Sequence, residues 1–234
     1  LLMNLNETPG VEVTMVTFMD GPFSEEARAL GIPTVILPGQ NLIRTYHNLK
    51  KMIREGGYEI IHCHGARGNM MGGLLRMTTG LPVDTTVHSD YRLDYMGRPL
   101  PRLTYGTINT IALRLLDFRI GVSDAMVDLL ISRGFDPETL FPIYNGLDFT
   151  PRPAAMDRAA YWKSVGADWP EDSVVVGIAA RLNPVKDIAT LIRGYAKARE
   201  GCPKLRLLIA GDGEQRAELQ ALATSLGVEK DVCF

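Results

Sequence analysis

The amino-acid sequence predicts an α/β protein built as two doubly wound parallel lobes, each incomplete. Two observations carry that expectation. Short apolar, β-branched runs alternate with helical patterns along the chain, as parallel strands joined by crossover helices require. The alternation is interrupted past residue 148, where a span with three prolines shows no sustained strand pattern. A chain of 234 residues has room for two lobes, or for one lobe and part of another.

Taken in order, "LLMNLNETPG" reads as the last turn of a helix, followed by strands at 11–18, 34–38, 59–65, 83–89, 118–123 and 140–146. The helix after Asn41 carries Leu42, Ile43, Tyr46, Leu49, Met52 and Ile53 at helical spacing and stops at Gly56-Gly57. On the helix in "NMMGGLLRMTTG", Met70, Met71, Leu74, Leu75 and Met77 are expected to pack in the core. Ser123 or Asp124 is expected to cap the helix that follows "FRIGVS", since no G-x-S-x-G elbow surrounds Ser123. These residues make up an N-terminal lobe over 1–150, with a linker over 151–172. The second lobe, 173–234, shows strands at 173–180 and 205–211 and a third from Asp231, where a complete doubly wound lobe has roughly six.

Composition narrows the function. With 46% hydrophobic and 22% charged residues the chain is an ordinary globular protein, and its net charge of −2 gives no global attraction to nucleic acid. Three cysteines without a CxxC pair argue against a disulfide framework or a zinc site and fit a reducing cytosol. No apolar run approaches the roughly 18 residues of a membrane span, so the chain is not expected to be an integral membrane protein, and a cytoplasmic setting is expected from the cysteines.

The most informative stretch is "GIAARLNPVKDIATLIRGYAKARE". An apolar strand runs into Arg181, passes a proline, presents Lys186 and then starts a helix with Asp187 placed as its N-cap. Free N–H groups and the positive dipole end of a helix at a strand's carboxyl edge attract phosphate. A guanidinium and an ammonium flanking that spot suit a diphosphate. In the next unit, "LRLLIAGDGEQ", Gly211 and Gly213 allow close approach of backbone at the following strand end.

"ARLNPVKDIATLIRGYAKA" with "LLIAGDGEQRAELQALATSLGVEKDVCF" resembles the donor lobe of group 1 (family 4) retaining glycosyltransferases of the GT-B fold. "VHSDY", "IGVSDAMVDLLISRGF" and "IYNGLDF" resemble the acceptor lobe and hinge of the same family, in the same order. The resemblance implies two Rossmann-like lobes, a nucleotide-sugar donor (UDP- or GDP-sugar) as substrate, no cofactor and no metal. It implies that Arg181 and Lys186 contact the donor diphosphate, that Gly211 and Gly213 border the donor pocket, and that His88 faces the transferred sugar. Asn145, Gly146 and Asp148 match the segment leading into the hinge, and His64 and Ser89 are expected at the acceptor side of the cleft.

The family's glycine after the lysine is Asp187 here, and its Gly-rich first strand-turn and acidic E-x7-E segment are missing. The chain is therefore expected to be a piece of a longer protein, inactive alone and prone to associate. A GT-B epimerase, a phosphorylase or a non-catalytic sugar-binding module stand as alternatives.

His62 and His64 share a strand face without a ligand partner at metal spacing, and His47 is expected on the surface. Residues 91–119 hold five arginines against two aspartates, a basic amphipathic stretch suited to anionic lipid headgroups and a lipid-linked or cell-surface glycan acceptor.

Overall fold

In a computed structural model the chain forms two units, residues 1–148 and 149–234. The structure describes residues 2–93, 99–147, 149–150, 153 and 156–234, and of residues 99–105 the backbone alone.

The first unit runs α1 (Leu2–Asn6), β1 (Met15–Thr17), α2 (Pro22–Ala29), β2 (Thr34–Ile36), α3 (Leu42–Gly56), β3 (Ile61–His64), α4 (Gly65–Thr79), β4 (Val83–Val87), α5 (Pro99–Leu115), β5 (Phe118–Gly121), α6 (Asp124–Ser132) and β6 (Leu140–Pro142). The second runs α7 (Arg158–Ser164), β7 (Val174–Ala179), α8 (Ile188–Gly201), β8 (Leu205–Ala210), α9 (Arg216–Ser225) and β9 (Val232–Cys233). Strands pair as β1-β2, β3-β4-β5-β6 and β7-β8-β9, every pair parallel. Together with the crossover helices, this is the doubly wound class expected from the sequence. The first unit's strands are divided between two sheets, so β1 and β3 each present an edge with no backbone strand partner among the described residues.

Local signals set the helix limits. The Asn41 side chain accepts from the Arg44 amide at 3.0 Å to open α3, and Gly57, at φ 66°, closes it in the left-handed conformation that glycine adopts without strain. Ser123 caps α6 by accepting from the Met126 amide at 3.2 Å, its expected role. Leu49 and Ile53 of α3 pack on Met71 and Leu75 of α4, while Val87, Leu113, Leu130, Phe135 and Leu140 fill the space between the four-stranded sheet and α5 and α6. In the second unit Leu182, Ile188, Ile192, Leu207, Ile209 and Leu219 are sealed between sheet and helices. Each such side chain contributes about 1.5–3 kcal/mol.

Two expectations are corrected. Met77 and Leu74 of α4 are exposed, because the helix turns only its Met71 and Leu75 side to the core. Arg119 is no part of a basic surface: at 4% exposure it donates to the carbonyls of Leu113 (2.7 Å) and Leu116 (2.6 Å), satisfying groups left open at the end of α5. Arg114 likewise donates to the Arg133 carbonyl and covers the Phe135 ring. Arg98 lies outside the described residues, and Arg102 is described by its backbone alone.

Helix α4 lies so close to the sheet that a Cβ on Gly72 would fall 2.5 Å from Cys63 Sγ and 3.0 Å from Val83 Cγ1. Gly72→Ala should lower stability by about 1–3 kcal/mol despite the better helix propensity of alanine. Adding Cys63→Ala should recover part of that loss, a coupling read from a double-mutant cycle of urea unfolding midpoints. Strictly additive effects would show that the sulfur is not what the new methyl meets.

Candidate functional site

Two side-chain groups occupy the carboxyl ends of the parallel strands, one in each unit. In the first unit the β3-β4 register sets His62 beside Asp84 and His64 beside Thr86, with His88 just past the end of β4. Alternation along the strands puts all five on one face of the sheet and sends Cys63 and Thr85 to the other. Asp84 Oδ2 accepts from His62 Nδ1 at 2.6 Å, and the Thr86 hydroxyl meets His62 Nε2 at 3.1 Å. His64 Nδ1 is hydrogen-bonded to His88 Nε2 at 3.1 Å. The His64 ring meets His62 edge-on at 4.7 Å between centroids and lies nearly parallel to His88 at 5.3 Å. Withdrawal of the His64 ring from water, followed by the two neighbouring imidazoles, lowers its pKa from 6.5 to about 4, so it is neutral at physiological pH. Among the described residues no group of three or more His, Cys, Asp or Glu is arranged to hold a metal ion.

The turn that carries His88 is anchored behind it. Asp90 pairs with Arg133 at the end of α6, and Tyr91, 3% exposed, packs against Phe135 beneath the Arg133 guanidinium. The Arg133 bond holds the Asp90 carboxyl below its ordinary range. On the opposite face the Thr85 hydroxyl shares its one proton between Asn69 Oδ1 at 2.6 Å and the Cys63 carbonyl at 2.9 Å, and Asn69 donates to Asn109, tying β4 to α4 and α5. Burial raises the Cys63 thiol to about 12, so it is no nucleophile. Ser89 is exposed beside His88, Asn145 and Gly146 are exposed past β6, and Asp148 lies outside the described residues.

In the second unit the turn after β7 carries Arg181 and Lys186, both exposed and without an ion-pair partner among the described residues. Lys186 ends a 3-10 turn at Pro184–Lys186. Asp187 stands at the N-cap of α8 as expected, but its side chain makes no capping bond. It is instead held at φ 46°, ψ 46°, the only described non-glycine residue with positive φ. A left-handed turn is needed to pass from the 3-10 segment into α8, which is why glycine suits this position and why aspartate there carries strain.

Gly211 and Gly213 have a role that sequence patterns do not reveal. A Cβ on Gly211 would lie 2.0 Å from the Ala180 carbonyl oxygen, and one on Gly213 2.3 Å from that of Leu182. What they admit is the backbone of the first turn: Leu182 N donates to the Asp212 carbonyl at 2.9 Å and Gln215 N to the Leu182 carbonyl at 3.1 Å. Leu182, fully buried below, pins the same turn, so Arg181, Lys186 and the Gly-Asp-Gly turn share one edge of the sheet.

The two units thus define a pair of Rossmann-like lobes with side chains gathered at their strand ends. Residues 4–150 match the family described as Glycosyltransferase Family 4, and residues 164–234 match Glycosyl transferases group 1. The chain belongs to the group 1, family 4 glycosyltransferases of the GT-B fold. A D-inositol 3-phosphate glycosyltransferase of Actinosynnema mirum is 30% identical to it, over 97% of this chain and 55% of that protein. The fold is shared with Anabaena Alr3699/HepE in complex with UDP-glucose, at a TM-score of 0.79 and 23% identity over 100% of this chain and 63% of that one. It is shared also with the apo form of the lipopolysaccharide outer core galactosyltransferase WaaB, at a TM-score of 0.62 and 17% identity over 99% of this chain and 60% of that one. The chain spans about half the length of the relatives it matches.

Gly211→Ala or Gly213→Ala should each cost roughly 2–4 kcal/mol in denaturant unfolding, from overpacking and a displaced turn. Asp187→Gly should raise stability by about 0.5–1 kcal/mol by relieving the left-handed aspartate. Thermal unfolding should show a pH signature of His64. A histidine whose folded pKa is depressed loses stability as pH falls, because between 6.5 and about 4 only the unfolded chain takes up the proton; below about 4 the loss stops growing. His64→Phe should flatten that part of the midpoint-against-pH curve, and an unchanged slope would contradict a ring held neutral.

Proposed function

We propose that this chain supplies the acceptor-side lobe and the first half of the donor-binding lobe of a glycosyltransferase that moves a hexose from a UDP-sugar to an acceptor with retention at the anomeric carbon. The observation that carries the proposal is the pair of cations, Arg181 and Lys186, without an ion-pair partner among the described residues, on a strand-to-helix turn fixed against a glycine turn at the carboxyl edge of a parallel sheet. A preorganised guanidinium and ammonium there meet the negative charge that builds on a diphosphate as the sugar leaves, without reorganising at the moment of reaction. UDP is favoured over GDP because structures of the Anabaena relative in fold hold UDP, UDP with glucose, and UDP-glucose.

His88 contacts the sugar, with His64 and Ser89 beside it on the acceptor side. It orients the sugar or shares its charge. Retention is taken from the family resemblance, and a cytoplasmic setting from the three cysteines without a CxxC pair. A polyol phosphate is one acceptor to test, since the named relatives include D-inositol 3-phosphate glycosyltransferases. Contact of residues 91–119 with an anionic membrane surface is proposed through the exposed Arg92 and Arg114 and without Arg119, which is buried.

Titration calorimetry of the chain with UDP-glucose and with GDP-mannose should show tighter binding of the UDP-sugar. Arg181→Ala and Lys186→Ala should each weaken it by about 10- to 100-fold, the scale of one charge-assisted hydrogen bond, with Lys186→Arg restoring only part. In the whole protein each alanine variant should cost about 2–4 kcal/mol in kcat/KM, and His88→Ala should lower kcat more than donor affinity. Wild-type binding in both alanine variants would remove the diphosphate assignment. Product of inverted configuration in an NMR assay of transfer would remove retention, and interconversion of UDP-sugars without an acceptor would favour an epimerase.

A further inference from the structure

We propose that His64 is a positioning residue that locks His88 in one tautomer and one ring plane, leaving Nδ1 as the His88 nitrogen available to a bound sugar. The second half of this statement rests on the assignment of His88 to the sugar; the lock itself does not. The geometry is a direct Nδ1 to Nε2 hydrogen bond of 3.1 Å between nearly parallel rings. Such a bond needs one N–H and one lone pair, so His88 Nε2 must take the role opposite to that of His64 Nδ1, and a fixed tautomer of His64 fixes that of His88.

His64 is itself held. His62 has both ring nitrogens occupied, one by the Asp84 carboxylate and the other by the Thr86 hydroxyl, so it cannot turn to compete for either neighbour. Its ring meets His64 edge-on at 4.7 Å and fixes the plane from which His64 reaches His88. His64 itself stays neutral down to about 4, so no charge on its own ring disturbs the bond above that pH. An ordering of this kind, in which a second polar group sets which nitrogen of a histidine faces the ligand, is how an imidazole is readied for proton or hydrogen-bond donation. Asp84, His62 and Thr86 thereby act on His88 through His64.

Nitrogen-15 NMR of the uniformly labelled chain tests this without any need for turnover. In the wild type a scalar coupling across the hydrogen bond should connect His64 Nδ1 with His88 Nε2, and the two His88 nitrogens should show well-separated shifts of a single neutral tautomer. His64→Phe, which keeps a ring and removes its nitrogens, should collapse the His88 shifts toward an averaged value. His64→Asn, whose amide can occupy the place of Nδ1, should restore part of the separation. Absence of the coupling in the wild type, or an identical His88 separation in His64→Phe, would overturn the lock, and the wild-type measurement stands whether or not a variant folds. Addition of UDP-glucose should move His88 Nδ1 further than UDP alone; if it does not while the coupling persists, the sugar-facing role fails and the lock stands.

Discussion

Parallel pairing is the constraint on which the rest of this molecule depends. Every strand pair is parallel, so each strand must leave its sheet at the same edge as its neighbour and return by a crossover on the other side. The ends of β3, β4, β7 and β8 and the segments that follow them therefore lie at carboxyl edges, and they carry His64, His88, Arg181, Lys186, Gly211 and Gly213. Residues far apart in the chain are brought to a common edge within each unit by backbone hydrogen bonding alone.

Much of the fold was legible because it rests on local rules. The apolar spacing of α3, its Asn41 cap and its Gly57 stop are contained in about one and a half dozen consecutive residues, and the structure follows them. Alternation on β3 placed His62 and His64 on one face without any tertiary information. What was not legible is nonlocal. The division of the first unit's strands between two sheets depends on which edges find partners, a property that no single run of residues displays.

The candidate site shows the same boundary between local and nonlocal in finer detail. A strand, two basic residues and a helix start are visible as a pattern, but the backbone angle at Asp187 is set by the need to join a 3-10 turn to α8, and aspartate is a familiar N-cap residue that pattern alone would seat differently. Gly211 and Gly213 suggest room for a ligand, yet their nearest obligation is to the carbonyls of Ala180 and Leu182. The hydrogen bond between His64 and His88 spans 24 residues and two strands, so it emerges only once register is known.

The two groups of side chains differ in how they hold charge, and that difference bears on what they can do. In the second unit Arg199 and Arg206 share Asp231, Lys204 meets Asp172 and Arg216 lies near Asp212. Arg193 and Lys197 stand without such partners on the exposed face of α8, where water solvates them. Arg181 and Lys186 too lack an ion-pair partner among the described residues, but on a turn pinned by the buried Leu182 and by backbone bonds to the neighbouring loop, so they are presented rather than merely solvated. In the first unit the polar face is made of imidazoles linked by hydrogen bonds, with its one carboxylate, Asp84, already committed to His62. Such a face offers hydrogen-bond donors and acceptors from its rings and its hydroxyl, where the turn after β7 offers a guanidinium and an ammonium.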